Sequence, residues 1–360
     1  MSSEFGKVLR TSVFGQSHGK AIGVLIDGLP AGFKIDEEKL LAFMERRKAK
    51  GKISTPRHEA DLPIFLSGVV DGVTAGSPLC AIIENKNAHS TDYDAIKYTP
   101  RPSHADYTAF VKWNGDADMR GGGHFSGRLT APICIAGGIA IQMLEEKGIY
   151  IGAHLKAVGG VEDRSFTMIP SVEELMAPGK KQFPVIDDDV GEKMTSVIEE
   201  ASRDGDSVGG IIECTVIGTP AGVGAPMFEG VENRLAGALF GIPAVKGVEF
   251  GAGFSCADMR GSQCNDSFSV KNGRIVTVSN NSGGIQGGIT NGMPINLRVA
   301  IKPTPSISKE QMTVDVRNNE ETKMTIKGRH DPCIAHRAVP VVEAVCALTL
   351  LDMILEEGDD

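Results

Sequence analysis

Aromatic residues are scarce in this chain. Phe, Trp and Tyr together make up 5% of 360 residues, with one tryptophan, Trp113. Single-stranded nucleic acid is bound on stacked rings, so that function is disfavoured. Excess positive charge is missing too. The net charge is −9, which argues against general polyanion binding, and no nucleic-acid partner is expected. The seven cysteines show no CxxC spacing. Reduced thiols in a cytoplasmic protein fit that pattern. The opening MSSEFGKVLRTS has no apolar run of the signal-peptide kind. Long uninterrupted apolar runs are also lacking. Residues 129–144 contain Gln142, and residues 334–355 contain His336, Arg337, Pro340, Glu343 and Asp352. Both stretches read as core helices, and no membrane partner is expected.

Glycine is abundant. There are 44 in 360 residues, well above the ordinary share of ~7%. They cluster instead of repeating every third position, which suits tight turns and close backbone approach to a ligand. Apolar residues at 41% supply a substantial core, and no Pro-, Ser- or charge-rich linker divides the chain. A single domain over residues 1–360 is expected.

Strand-like runs fall at residues 7–14, 21–26, 64–70, 79–84, 150–157, 209–218, 244–250 and 295–301. Helical patterns fit 36–48 with Asp36 as cap, 128–147, 190–203 capped by Asp187, Asp188 or Asp189, 229–240, and 334–356. Residues 85–101, 159–187 and 251–296 read mostly as loop. Without a regular βαβ rhythm, the class is α+β. Two faint echoes, IDGLPAG at Ile26 against VIGTPAG at Val216 and DMRG at Asp118 and Asp258, are compatible with a duplicated fold or with turn chemistry alone.

Six segments could carry chemistry. VFGQSHGK puts His18 in a glycine-rich turn, and RPSHADYT puts His104 after a second serine. RRKAKGKISTPRH (residues 46–58) holds six Lys or Arg and no acid. It is either a solvated helix end or a cradle for a polyanionic small molecule. DMRGGGHFSGRLTAP (118–132) leads glycines into a long helix and nearly imitates a P-loop. Arg128 and Leu129 stand where Lys and Ser or Thr belong, so the Mg²⁺-binding hydroxyl is missing. Metal-free phosphate binding and close helix–sheet packing both remain open. NNSGGIQGGITNG (280–292) suits a surface loop or a backbone laid against a flat ring. In KGRHDPCIAHRAVP (327–340), Asp331-Pro332 reads as a helix cap with proline at N1. His330 and His336 lack a zinc-ligand spacing, so no metal is expected.

Taken in order, FGQSHGKAIGVLIDGLPAG, STPRHEAD, RPSHADYT, RGGGHFSGRLTAP, GDSVGG, PAVKGVEFGAGF, NNSGGIQGGITNG, IKPTPSI and KGRHDPCIAHRAVPVVEA resemble the chorismate synthase family, from Phe5 to about Leu355. The resemblance implies a β-α-β sandwich, with helices between two antiparallel sheets, and a homotetramer. It implies conversion of 5-enolpyruvylshikimate 3-phosphate to chorismate and phosphate, with reduced FMN required although no net oxidation occurs. No extra reductase domain is visible, so an external flavin reductant is expected.

By the same resemblance His18 and His104 are the two catalytic histidines, and Asp331 is a third catalytic residue near the flavin. Flavin-binding positions carry over to His124, Phe125, Ser126, Pro243, Ala244, Gly287, Lys302, Pro303, Thr304, Pro305, Ser306 and Arg329. Substrate positions carry over to Ser17, Arg47, Lys52, Arg57 and Arg337; Arg47 and Lys52 match positions that in some relatives bind the phosphates of NADPH. The chain departs from the commoner family pattern at Gln16, Ser103, His124, Phe125, Pro305 and Lys52.

Overall fold

Asp36 caps the first helix as its place before an apolar-periodic run predicts, its carboxylate accepting the Lys39 N–H at 3.0 Å. The computed structural model describes residues 3–49, 53, 60–86, 98–326 and 331–358. The first half runs β1 (Glu4–Phe5), β2 (Arg10–Gly15), β3 (Ala21–Asp27), α1 (Glu37–Glu45), β4 (Ile64–Ser67), a hairpin of β5 (Val69–Val70) and β6 (Val73–Thr74), β7 (Leu79–Glu84), α2 (Asp106–Lys112) and α3 (Thr130–Glu146). Its sheet is antiparallel, in the order β1-β2-β3-β7-β4.

The second half begins with β8 (Tyr150–Val158), β9 (Val161–Glu162), α4 (Val172–Met176), α5 (Asp188–Arg203), β10 (Gly210–Ile217), α6 (Val231–Leu239), β11 (Val245–Phe250) and α7 (Gly261–Cys264). Hairpins β12–β13 (Phe268–Lys271, Arg274–Thr277) and β14–β15 (Ile285–Gln286, Ile289–Thr290) follow. β16 (Ile295–Ile301), the hairpin β17–β18 (Gln311–Asp315, Glu320–Met324) and α8 (Ala335–Glu357) close it. The second sheet is also antiparallel, ordered β11-β16-β10-β8-β9.

The halves repeat one another. β2-β3-β7-β4 and β8-β10-β16-β11 have the same order, α1 matches α6, and α3 matches α8. The echo in the sequence marks the clearest copy. After β3, Thr74 Oγ1 donates to Pro30 O at 2.6 Å and accepts the Phe33 N–H at 3.0 Å. After β10, Thr290 Oγ1 donates to Pro220 O at 2.6 Å and accepts the Val223 N–H at 3.0 Å. Of the two readings, the duplicated fold is therefore the one present.

α3 packs on the first sheet, α8 on the second, and the two helices pack on each other, giving helices between two sheets. The approach is so close that a Cβ on Gly137 would lie 2.2 Å from Ala344 Cβ. Ile135, Ile139 and Leu144 of α3 and Val342, Leu348 and Leu351 of α8 are fully buried, each contributing ~1.5–3 kcal/mol. Both helices are long and apolar enough to cross a membrane, yet both are mostly buried within the protein. The charges on α8 are paired. Glu343 receives both ends of the Arg46 guanidinium at 2.6 and 2.7 Å and the Ala153 N–H at 2.9 Å. Asp352 accepts the N–H groups of Lys7, Val8 and Leu9, tying down the N-terminal strand region.

Some expectations need correction. The first long strand starts at Arg10, three residues later than its apolar pattern suggests. Residues 159–187 hold β9 and α4, and residues 251–296 hold α7 and two hairpins, where loop was expected. Asp331 does not cap α8, whose N-cap is Ile334 without a side-chain bond; the Asp331 carboxylate pairs with Arg337 instead.

Candidate active site

A triplet of glycines holds the two sequence-singled histidines against one backbone. Gly121, Gly122 and Gly123 have φ of 62°, 97° and 56°, a left-handed run that residues with a Cβ rarely adopt. A Cβ on Gly121 would lie 2.1 Å from His18 Cε1, and one on Gly122 would lie 3.3 Å from His104 Nε2. Gly121 and Gly122 serve ring contacts, while a Cβ on Gly123 would meet Asp118 O at 2.0 Å. The turn bearing His18 is fastened to the triplet by Ser17, whose Oγ donates to Arg120 O at 2.9 Å and whose N–H donates to Gly123 O at 3.1 Å. His18 is half-buried, not the exposed turn residue that its glycine-flanked setting suggests.

His104 sits in a short charged circuit. Its Nδ1 lies 2.7 Å from Asp106 Oδ1 and 3.1 Å from Arg101 Nη2. Arg101 grips Asp106 through Nε and Nη2, both at 2.7 Å. Burial opposes the charge on Asp106, but Arg101 and His104 outweigh it and hold the carboxyl well below the usual carboxylate range. Arg101 and Asp106 escape a reading by residue type. Their only signal is the R-x-x-H-x-D order inside RPSHADYT.

The segment from Lys302 to Ser306 lies beside this circuit. Lys302 Nζ donates to Ser103 O, and Arg101 Nη1 reaches Ser306 Oγ at 3.5 Å. Burial first, and the charge of Lys246 second, push the Lys302 ammonium pKa down. The Lys302 N–H donates to Ala244 O at 2.9 Å, which brings Pro243 and Ala244 to the same place; Ala244 has φ 75°. Thr304 Oγ1 is shielded and has no hydrogen-bond partner among the described residues. Pro303 and Pro305 flank it.

A buried arginine pair forms a further part. Arg47 Nη2 and Arg128 Nη1 bind the two oxygens of Asp61, and all three side chains are at most 8% exposed. Burial opposes ionisation of Asp61, yet the two guanidiniums lower its pKa. Arg337 donates to Arg47 O at 3.1 Å and to Asp331 Oδ2 at 2.7 Å, joining Asp331 to this group. Arg46 and Arg47 are thus not a solvated helix end.

Other carried-over positions sit apart or beyond view. His124 is exposed, bridging Gly15 O and Ser3 Oγ at 2.8 and 2.7 Å. Phe125 leans on Trp113, with ring centroids 5.7 Å apart, and Ser126 accepts the Arg128 N–H at 3.2 Å. Gly287 lies at the tip of β14–β15, where a Cβ would meet nothing within 4 Å; the next residue, Gly288, abuts Ala225 and Gly230 and not the histidines. Lys52, Arg57 and Arg329 lie outside the described residues.

Such a fold, with two imidazoles against one glycine turn and a carboxylate bound to one of them, defines an enzyme suited to proton transfer on an anionic ligand. The sequence profile of the chorismate synthase family matches residues 9–355. A chorismate synthase of Thermococcus gammatolerans is 50% identical over 352 residues, covering 97% of each chain. One of Methanosarcina mazei is 45% identical over 357 residues, covering 98% of this chain and 96% of its own. A crystal structure of chorismate synthase superposes with a TM-score of 0.78 at 29% identity, over 99% of this chain and 94% of the other. The chain belongs to the chorismate synthase family. It is a carbon–oxygen lyase acting on phosphate, and a flavin cofactor goes with that family.

Proposed function

We propose that the chain catalyses the anti-1,4-elimination of phosphate from 5-enolpyruvylshikimate 3-phosphate to give chorismate, with reduced FMN bound beside the substrate. The observation that carries this reading is the placing of His18 and His104 against consecutive glycines, with their side chains reaching one turn from two different loops. The residues present fit a flavin phosphate: Thr304 Oγ1 is a shielded hydroxyl without a partner among the described residues, and Lys302 supplies a cation beside it.

Reduced flavin, when bound, lends electron density to the substrate and recovers it, so that no net oxidation results. His18 or His104 protonates the departing phosphate, and the other manages the proton of the reduced ring. An imidazole suits both tasks because its ordinary pKa is about 6.5. Arg47, Lys52, Arg57 and Arg337, with Ser17, hold the substrate's anionic groups. His124, Phe125, Ser126, Pro243, Ala244, Gly287, Lys302, Pro303, Thr304, Pro305, Ser306 and Arg329 hold FMN, and Asp331 serves the proton near its ring.

An external reductant supplies the reduced flavin, and the location is the cytoplasm. One hydrophobic cluster runs through both halves, which supports a single domain. Exposed Met227, Phe228 and Phe254 give apolar surface for a homotetramer.

Mixing the protein with FMN, dithionite and substrate under argon tests the reading. Phosphate release with chorismate formation is expected, and His18→Ala and His104→Ala should each slow it by about 10²-fold or more. Folded protein that binds FMN but releases no phosphate would leave a flavin-binding protein without catalysis.

A further inference from the structure

The carboxylate of Asp106 lies 2.7 Å from His104 Nδ1, while His104 Nε2 faces the Gly122 turn. Arg101 Nη2 also approaches Nδ1, at 3.1 Å, but one of its two hydrogens goes to Asp106 Oδ1 at 2.7 Å, and the carboxylate is the closer partner of the ring. A guanidinium has no lone pair to offer, and an ionised carboxylate has no proton. The only donor between Asp106 and the ring is therefore Nδ1–H. Asp106 opens α2, and Arg101 lies in the preceding loop, donating both its backbone N–H (3.0 Å) and its Nε–H (2.7 Å) to Asp106 Oδ2. From the segment after β16, Lys302 reaches this loop and donates to the Ser103 carbonyl next door.

We propose that Asp106 is a positioning residue for the elimination: braced by Arg101, it fixes His104 with the proton on Nδ1 and reserves Nε2 for proton exchange in the site. The inference rests on the catalytic part proposed above for His104. Its chemistry follows from the asymmetry of imidazole. A neutral ring has one donor and one acceptor nitrogen, and the partner of one decides the role of the other. With Nδ1 committed to a permanent acceptor, Nε2 carries a lone pair in the neutral ring and the mobile proton in the charged one. A ring free to hold its proton on Nε2 when neutral would present a donor where the reaction needs an acceptor for half of its cycle.

Neutron diffraction of the resting protein in D₂O at pH 7.5 reads the tautomer directly, without turnover. Deuterium on Nδ1 of His104 is expected, and a neutral ring deuterated on Nε2 alone would overturn the proposal. Asp106→Asn offers the ring both a donor and an acceptor. It should lower kcat by about 10-fold or more, the scale of impaired acid–base catalysis, with substrate KM within about threefold. Asp106→Glu should recover part of the loss. An Asn variant that folds, binds FMN and turns over at the wild-type rate would also overturn the proposal. Should the wild-type protein not form chorismate at all, the functional reading fails, while the deuterium position still decides the role of Asp106. If Asp106→Asn does not fold, the wild-type neutron map alone decides it.

Discussion

His18 and His104 come from loops 86 residues apart in the chain and rest against adjacent residues, Gly121 and Gly122. The spacing of the two rings is thus set by one peptide unit and not by their own loops. Gly121→Ala would push a methyl group within 2.1 Å of His18 Cε1 and strain a backbone at φ 62°. Turnover should fall by 10-fold or more, at the scale of a displaced acid–base group, with FMN binding retained. Gly127→Ala is the control. It lies five or six residues along, has open space around it and no positive φ, and should leave turnover unchanged. Equal rates in the two variants would remove the turn from the mechanism.

Asp61 has a different kind of influence. It neutralises Arg47 and Arg128 at a buried point. Asp61→Asn leaves two guanidiniums facing a neutral amide, and breaking such a pair costs about 3–5 kcal/mol. Equilibrium urea unfolding at pH 7 measures the loss. The pH dependence has a definite sign. The folded pKa of Asp61 lies below the unfolded value of about 3.9. Its stabilisation is complete above the unfolded value and is lost as pH falls through the folded one. The wild-type protein should lose stability below about pH 4 more steeply than the variant.

His336 works the other way around. Burial against Phe183, and then the charge of Arg337, push its pKa down to about 3. Between the unfolded value of about 6.5 and that folded value, only the unfolded chain binds the proton. Native stability therefore falls as pH drops from 6.5, before most carboxylates titrate. His336→Leu should flatten the slope of unfolding free energy between pH 6.5 and 4.5. An unchanged slope would mean that the imidazole is protonated in the folded state.

The sequence shows the parts of this molecule that obey short-range rules. Asp36 and Asp187 cap helices where an acid before an apolar-periodic run predicts them. The two long core helices are legible from composition alone. Asp331-Pro332 obeys the same capping rule and misleads, because the helix starts only at Ala335 with Ile334 as its N-cap, and the Asp331 carboxylate pairs with Arg337. The hairpin β12–β13 carries a signal that the loop reading passes over: Phe268 and Val270 alternate with polar residues, and Asn272-Gly273, at φ 52° and 77°, makes the turn. In the site, His18 stands out by its glycine-rich turn and His104 by repeating the Ser-His pair. Asp61 does not, because its partners Arg47 and Arg128 lie 14 and 67 residues away and only the fold brings them together.

The internal repeat has a last consequence. The connection from β7 to α3 carries His104, and its counterpart from β16 to α8 carries Lys302, Thr304 and Asp331. These two connections touch, through Lys302 to Ser103 and through the Val316 N–H to Tyr98 O at 3.0 Å. The residues proposed for the site therefore straddle a seam between twins. Each twin has been released from doing the other's task, one furnishing imidazole and the other ammonium and carboxylate, so that a symmetrical scaffold presents two unlike walls to a molecule that has no symmetry itself.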